Sequence, residues 1–582
     1  MTAFTSVKDG DWDDATVWGN GAGGDYPGKT TTDDTALIGS NDTVNYNIDN
    51  SSSGLNHRIR SITVGNGETL NFDTTKSTYL WIGGSTSDGI NLNDNGTMNV
   101  GSSGSPLSSS YTCTIEIDQS SDNHGRIIDL TNGAQLEMYG TVKTIKQYSN
   151  GALTANSSSS ISLSSVPSDW AVDDEILVQT TENNRSSSQD EIITIDSKTS
   201  TSISFSDGAG TGGTIAYNHL SGCILLNLTR NIKFIATDTS SRASVGLGAS
   251  NADKCYIEYV DFNGCGSGDR GGAWAVSTQN GDNRRVYFEG CVSRNQGNDG
   301  CASPGSGTMM HKDCIITGAS SRGFDSQNDI GDCHFENCYF VDNGSCGAGV
   351  DRGKGTFIDC QFWSNNQAIT IGGECVAINC YMFGNSDAAV TTYGGGRFYN
   401  CIVGESEVGT QPNYNASKSE KSPIMWHDCK FASGEDFQTQ NNPCILAYSS
   451  NHNQTSNNYM VDYATSTQSI EDDTSTYRTT SPSLKINPGV SGNLCSHEIP
   501  LIVESGTSYT VTLYGKKSVA SPWRNPNCRA IGCGINDSAT WSTADTNWNS
   551  VTLSGTATRD GVVTIFVYVY DDYFNLDDIT VS

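Results

Sequence analysis

One short pattern recurs seven times between Glu289 and Lys430: a small or polar residue, then cysteine, then a strand-forming pair. It reads Glu289-Gly290-Cys291-Val292, Lys312-Asp313-Cys314-Ile315, Glu336-Asn337-Cys338-Tyr339 and Ile358-Asp359-Cys360-Gln361, and returns at Cys380, Cys401 and Cys429. Successive cysteines are 23, 24, 22, 20, 21 and 28 residues apart. A period in the low twenties is short for helical repeats and too irregular for a heptad, but it suits one coil of a parallel β-helix. Strands stacked coil on coil lie about 4.8 Å apart, so a residue repeated once per coil forms a column. Cysteine fits an internal column as a small, readily buried apolar side chain. A disulfide reading fits less well, because each thiol in such a column has two equivalent neighbours and a bridge demands a specific geometry. Zinc is disfavoured, since no paired cysteine knuckle with histidines accompanies the repeat.

The chain has 582 residues, which a solenoid absorbs in fewer domains than length alone suggests. Only 17% of residues are charged, while 63 glycines and abundant Ser, Thr, Asn and Asp supply turns, the signature of an all-β chain. The formal charge is −31, so nucleic acid and anionic membrane surfaces are poor partners. No apolar run is long enough to cross a membrane. The start, Met1 to Asp9, does not read as a secretory leader, and 19 cysteines are then expected to be made in a reducing cytosol.

Three regions are expected. Residues 1–165 form a β-rich lead-in, 166–439 a right-handed parallel β-helix, and 440–582 an antiparallel β-sandwich of jelly-roll type. In the first, Trp18, Tyr26-Pro27-Gly28, Asp34-Thr35-Ala36-Leu37-Ile38, Ile62-Thr63-Val64-Gly65 and Asn99-Val100-Gly101 occur in an order that resembles the glycine-eight domain of fibrocystin-like and hyaluronan-depolymerising proteins. Asp169-Trp170, Asp190-Glu191 and Asn218-His219 extend that likeness, with Asp173-Asp174 in place of Gly-Asp. In the last region, Ser508-Tyr509-Thr510-Val511-Thr512-Leu513, Trp548 and Asn575-Leu576-Asp577-Asp578 resemble carbohydrate-binding jelly-roll modules. A β-helix followed by such a module resembles phage tailspike and fibre proteins, which implies binding to host surface polysaccharide, other virion proteins as partners, and a homo-oligomer, a trimer by that likeness.

For chemistry, aligning the coils sets Gly323-Phe324-Asp325 beside Gly349-Val350-Asp351, with Arg352, Asp329, Glu374 and Tyr393 nearby. Two carboxylates about 5–5.5 Å apart serve a retaining glycosidase, and about 6.5–9.5 Å an inverting one. Asp325 and Asp351 are therefore the candidate catalytic pair; the bland alternative is an outward acidic pair in a turn, neutralised by Arg322, by Arg352 or by Ca²⁺. A lyase has Arg352, Lys354 and His334 to draw on but no dense basic groove. His427 reads as structural. Trp523, Trp541 and Tyr393 are the candidate sugar-stacking rings, with Trp548 expected in the core. No cofactor is required; the carbohydrate-module likeness implies a structural Ca²⁺ near Asp577 or Asp578. The expected function is a virion tailspike or fibre protein, made in the host cytoplasm, that binds host glycan, with cleavage of that glycan as the further expectation. A bacterial polysaccharide hydrolase or lyase and a purely structural fibre or capsid-decorating protein are the alternatives.

Overall fold

The structure is a computed structural model. It describes every residue except 1, 21–22, 32–33, 50–57, 85–88, 120–125, 132, 182–188, 237–243, 251–253, 266–273, 278–284, 303–307, 327–331, 393–394, 405–414, 420–423, 428, 432–436, 440–443, 449–458, 462–468, 474, 479–482, 488–494, 504–505, 521, 523–524, 543–544, 559–560 and 570–572. The chain divides into two compact units, residues 1–419 with 430–438, and residues 420–429 with 439–582.

The first unit is a parallel β-solenoid of about 12 coils. Three strands per coil build three faces. The first face contains Val292–Arg294, Ile315–Thr317, Tyr339–Val341 and Gln361–Trp363. The second contains Arg322–Asp325, Cys346–Val350, Gln367–Ile371 and Ala388–Thr392. The third contains Lys254–Glu258, Arg285–Glu289, Thr308–Lys312, Asp332–Glu336 and Lys354–Ile358. Coils already stack in register from Ala3–Thr5 on Asp34–Ile38, so the region expected to be a lead-in is itself solenoid.

The repeat has a backbone cause. The residue before six of the column cysteines turns the corner from the third face to the first in the left-handed region: Gly290, Asp313, Asn337, Asp359, Asn379 and Asn400 have φ between 50° and 61°. Glycine, asparagine and aspartate tolerate that conformation best, hence their place before the cysteine. Each thiol then lies inside and meets two carbonyls. Cys338 Sγ donates toward Glu336 O at 3.3 Å and His311 O at 3.6 Å, and Cys360 toward Ile358 O at 3.3 Å and Phe335 O at 3.5 Å. The 17 cysteines whose side chains are described are free, and all of them but Cys429 are buried.

Other columns obey the same rule. Phe288, His311, Phe335 and Phe357 stack face to face on successive coils, with centroids 4.9, 4.4 and 5.1 Å apart. Burial lowers the His311 pKa to about 3, so the ring stands in that column as a neutral, flat spacer. Asn343 and Asn365 form a buried amide ladder, Asn343 Nδ2 donating to Asn365 Oδ1 at 2.9 Å.

The solenoid is interrupted between two consecutive coils. Gln135–Tyr139 pairs directly with Lys254–Glu258, and Cys113–Gln119 with Ile232–Ala236, so residues 140–231 leave the coil and return to it. The later part of this excursion falls within the stretch 166–439 expected as β-helix. The excursion makes small antiparallel sheets, one formed by Lys146–Tyr148, Ile224–Asn227, Glu175–Val178 and Glu191–Thr194. Strand alternation gives that sheet two apolar sides. Ile176, Val178 and Leu225 join Trp170 in a local core, while Leu177, Ile224 and Leu226 pack on Val292, Ile315, Tyr339 and Trp363 of the first face. Arg294 fastens the two together, with Nη2 2.8 Å from Asp261 and Nη1 2.6 Å from Glu175. Removing one partner of the buried Arg294–Asp261 pair costs about 3–5 kcal/mol. The Glu and His of the glycine-eight likeness serve this insert: His219 is buried, 3.0 Å from Glu191, its other ring nitrogen 2.8 Å from Gln179 O.

The second unit contains an antiparallel sandwich. One sheet runs Ser469–Asp473, Ser483–Asn487, Phe574–Val581, Ser508–Lys517, Trp548–Thr556; the other runs Cys495–Val503, Gly561–Val569, Asn527–Gly532, Ile535–Thr540. Leu513, Leu553, Val563, Ile565, Val567 and Phe574 lie in the core between them. Among the described residues no helix is long and apolar enough to cross a membrane.

The cysteine column is expected to remain fully reduced, so thiol titration of the denatured, unreduced protein should find Cys314, Cys338, Cys360, Cys380 and Cys401 reactive. Cys360→Ser should cost only about 1 kcal/mol, because the hydroxyl inherits both carbonyl acceptors. Cys360→Leu, forced between Cys338 and Cys380, should cost about 1–3 kcal/mol by denaturant titration.

Candidate functional site

The second face carries a charged cluster on its outer side. Asp325 ends the strand Arg322–Asp325, and Arg322 begins it. From there the Arg322 guanidinium reaches across to the next coil. Its Nη1 donates to Asp325 Oδ1 at 2.7 Å and to Asp351 Oδ2 at 2.6 Å. The route passes over Gly349, where a Cβ would stand only 2.7 Å from Nη1, so the glycine is what lets the arginine lie flat. Asp299, in the turn one coil earlier, accepts the Arg322 backbone N–H at 3.1 Å.

The expected alignment of Asp325 with Asp351 is corrected by the backbone. Asp325 pairs with Gly349, and Gly349 with Thr370, so Asp351 lies two residues farther on, in the turn after Cys346–Val350. The carboxylates nevertheless meet on one nitrogen. Two oxygens 2.7 and 2.6 Å from the same Nη1 are at most about 5.3 Å apart, inside the range of a retaining pair and too close for an inverting one.

Their surroundings differ, and the difference matters for proton transfer. Asp325 is 3% exposed, whereas Asp351 is half-buried. Burial pushes Asp325 up to about 7; the Arg322 charge opposes this, and the neighbouring carboxylates Asp299 and Asp351 add to it. Asp299 is raised as well, again chiefly by burial. Burial alone would lower Arg322, but its bond to Asp351 and the charge of Asp325 hold it above its usual range. Asp325 is thus the acid of the cluster that holds a proton up to about neutrality. A carboxyl that keeps a proton beside a more exposed carboxylate is the pairing that acid and base roles require. Asp299 was not legible in the sequence, because it precedes Cys301 in a turn outside the cysteine pattern.

The other expected residues fare differently. Trp541 is core: it is 2% exposed, donates Nε1–H to Asn549 O at 3.0 Å, and meets Phe574 edge-on at 4.8 Å. It offers no ring to a sugar. Trp548, expected inside, is the half-buried one. Asp577 and Asp578 both engage Arg478: Asp577 Oδ2 accepts the Arg478 backbone N–H at 2.7 Å, and Asp578 Oδ2 pairs with the Arg478 guanidinium at 2.6 Å. That guanidinium also lies over the Tyr514 ring, 3.6 Å from its centre. Among the described residues no group of three or more metal-binding side chains is placed to hold an ion. Tyr393, Trp523 and Asp329 lie outside the described residues.

No protein-family model matches the chain, and no curated protein matches its sequence. Solved structures do. The Gp54 tailspike of Acinetobacter baumannii bacteriophage AP22, in complex with A. baumannii capsular saccharide, is 9% identical, with 94% of this chain and 91% of that one covered at a TM-score of 0.19. The Siphovirus 9NA tailspike receptor binding domain is 11% identical, covering 85% and 80%, at 0.23. A family 16 carbohydrate binding module is 12% identical, covering 20% and 86%, at 0.17. The structural neighbours thus include phage tailspikes and carbohydrate-binding modules. Likeness at such identities and TM-scores carries no functional argument, and the chemistry has to come from this chain's own residues.

Asp325 ties the site to pH. Folded, it keeps its proton to about pH 7; an unfolded Asp releases it near 4. Its contribution to stability is therefore complete below about pH 4 and is lost as the pH rises to 7. Asp325→Asn should flatten the decline in melting temperature across that window; a variant with the wild-type slope would place the titration elsewhere.

Proposed function

We propose that this chain is a tailspike-type protein that binds a host surface polysaccharide and hydrolyses it at the Asp325–Asp351 pair. The observation that carries the reading is two carboxyls bonded to one Arg322 nitrogen, one buried and titrating at about 7, the other half-exposed. In this reading Asp325 is the general acid that protonates the leaving glycosidic oxygen. Asp351 attacks the anomeric carbon, and water releases the glycosyl ester with Asp325 now acting as base. Arg322 holds both carboxyls in place and steadies whichever is ionised. The buried free thiols support a protein made in a reducing host cytoplasm, as a virion component assembled there would be.

The test is reducing-end release from isolated bacterial capsular and O-polysaccharides. Asp351→Asn and Asp325→Asn are each expected to lower cleavage at least about a hundredfold, with the fold retained. The wild-type rate should fall as pH rises through about 7, where the acid loses its proton. Should both variants cleave as the wild type does while melting lower, the cluster is an ion-pair staple and the hydrolase assignment is wrong.

A further inference from the structure

The three faces of the solenoid are not equivalent. The insert covers the first face with Leu177, Ile224 and Leu226, and the second carries the Arg322 cluster. The third has an outer side whose residues succeed one another in register over many coils. Along its central column the pairings run Asp11 to Asn45, Asn45 to Asn71, Asn71 to Asn99, Asn99 to Glu137, Glu137 to Tyr256 and Tyr256 to Tyr287. The last steps cross the point where the insert leaves the coil, so residues far apart in sequence become one continuous line.

Its lower part is a cleft of about 450 Å³ whose lining includes Asp11, Asn45, Asn71, Asp73, Asn99 and Ser102. The carboxamides are wired in one direction: Asn99 Nδ2 donates to Asn71 Oδ1 at 3.0 Å, Asn71 to Asn45 at 3.5 Å, and Asn45 to Asp11 at 3.4 Å. Each amide spends one N–H on the coil before and keeps the second, so donors and acceptors alternate along the cleft. The upper part is aromatic. Tyr256 is 39% exposed, and its ring centre is 6.1 Å from that of Tyr287 on the next coil. Glu289 accepts the Tyr287 hydroxyl at 2.5 Å and fixes that ring; Glu258 stands level with Glu289, its pKa raised by burial and by the Glu289 charge.

From this juxtaposition we infer that the column from Asp11 to Tyr287 is a binding track for a neutral polysaccharide chain, amides and carboxylates taking its hydroxyls and the two tyrosines stacking on its rings. Six coil steps of about 4.8 Å make a track of about 29 Å, so a sugar of an extended chain meets a new side chain at nearly every step. Tyrosine offers a large apolar face at small entropic cost, which suits the apolar face of a pyranose. The cleft lining holds two aspartates and no lysine or arginine, and the track adds Glu137 and Glu258 beside Glu289, which has Lys312 4.0 Å away, so acids outnumber bases along it and an anionic glycan is disfavoured. The track rests on the polysaccharide reading above, but lies on a different face from the carboxyl pair.

The experiment immobilises neutral and anionic bacterial polysaccharide fragments of five or more sugars and measures binding of the full chain at low and high salt. A neutral fragment is expected to bind, with affinity that hardly changes with salt. Tyr256→Ala with Tyr287→Ala should weaken it on the order of tenfold or more, as should Asn71→Ala with Asn99→Ala. Tyr256→Ser alone, at the more exposed ring, stands in if the double variant melts early. Undiminished binding in the tyrosine variants would overturn the track while leaving polysaccharide recognition intact; so would binding only to anionic fragments. No binding to any fragment would overturn both.

Discussion

Everything in the solenoid depends on one constraint: each side chain stands about 4.8 Å from its counterpart on the next coil. A column is stable only if its residue tolerates itself as a neighbour. Thiols do, each meeting backbone carbonyls as well as the thiols above and below it. Flat rings do, at 4.4 to 5.1 Å. Carboxamides do, because each is both donor and acceptor. Like charges do not, and where acids accumulate the chain either supplies a cation, as Arg322 does for Asp325 and Asp351, or lets a proton remain.

The same rule explains what was legible in the sequence. The cysteine and the left-handed residue before it recur because two independent requirements, a small buried side chain and a positive φ, fall on adjacent positions. The carboxyl pair was legible as a neighbourhood but not as a register. From Cys314 to Asp325 and from Cys338 to Gly349 is eleven residues each, and those two positions pair. The likeness of Gly323-Phe324-Asp325 to Gly349-Val350-Asp351 pointed two residues away from the true match, whereas the distance from the corner does not depend on which side chains happen to agree.

Two features escaped because local sequence carries no signal for them. The insert at residues 140–231 is made of short alternating strands with Ser, Thr and Asp turns, like the coils on either side. What distinguishes it is pairing direction, antiparallel instead of parallel, which composition does not encode. In the sandwich, Trp541 and Trp548 stand seven residues apart in a stretch rich in Asn, Asp and Thr. Which one enters the core is decided by the packing of Trp541 on Phe574, from a strand more than thirty residues away. The tyrosines of the third face did leave a trace, Tyr256-Ile257-Glu258 and Tyr287-Phe288-Glu289 at the same distance before the corner. Period-two alternation puts Ile257 and Phe288 inside and so turns the Tyr and Glu outward.

The division of labour among the faces has an energetic logic. A parallel stack presents one outward residue in two from every strand, and three such faces on a small perimeter leave little room for both apolar and polar function on one side. The chain puts the outward apolar residues on the first face, where Val292, Ile315, Tyr339 and Trp363 would be an exposed stripe on a bare coil, and buries them under the insert. That cover is held by specific polar links, Trp363 Nε1 to Asp190 at 2.9 Å and the Arg294 ion pairs, so the insert has one seat on the coil rather than several. With the greasy side sealed, the other two faces are left to charge and to hydrogen-bonding chemistry. Self-stacking columns suit that use, because a ligand with its own repeat of about one coil meets the same kind of side chain at every step. A single binding residue selected in one coil can then be extended by repeating it in the next, and the pairing of Tyr256 with Tyr287 is that extension already made.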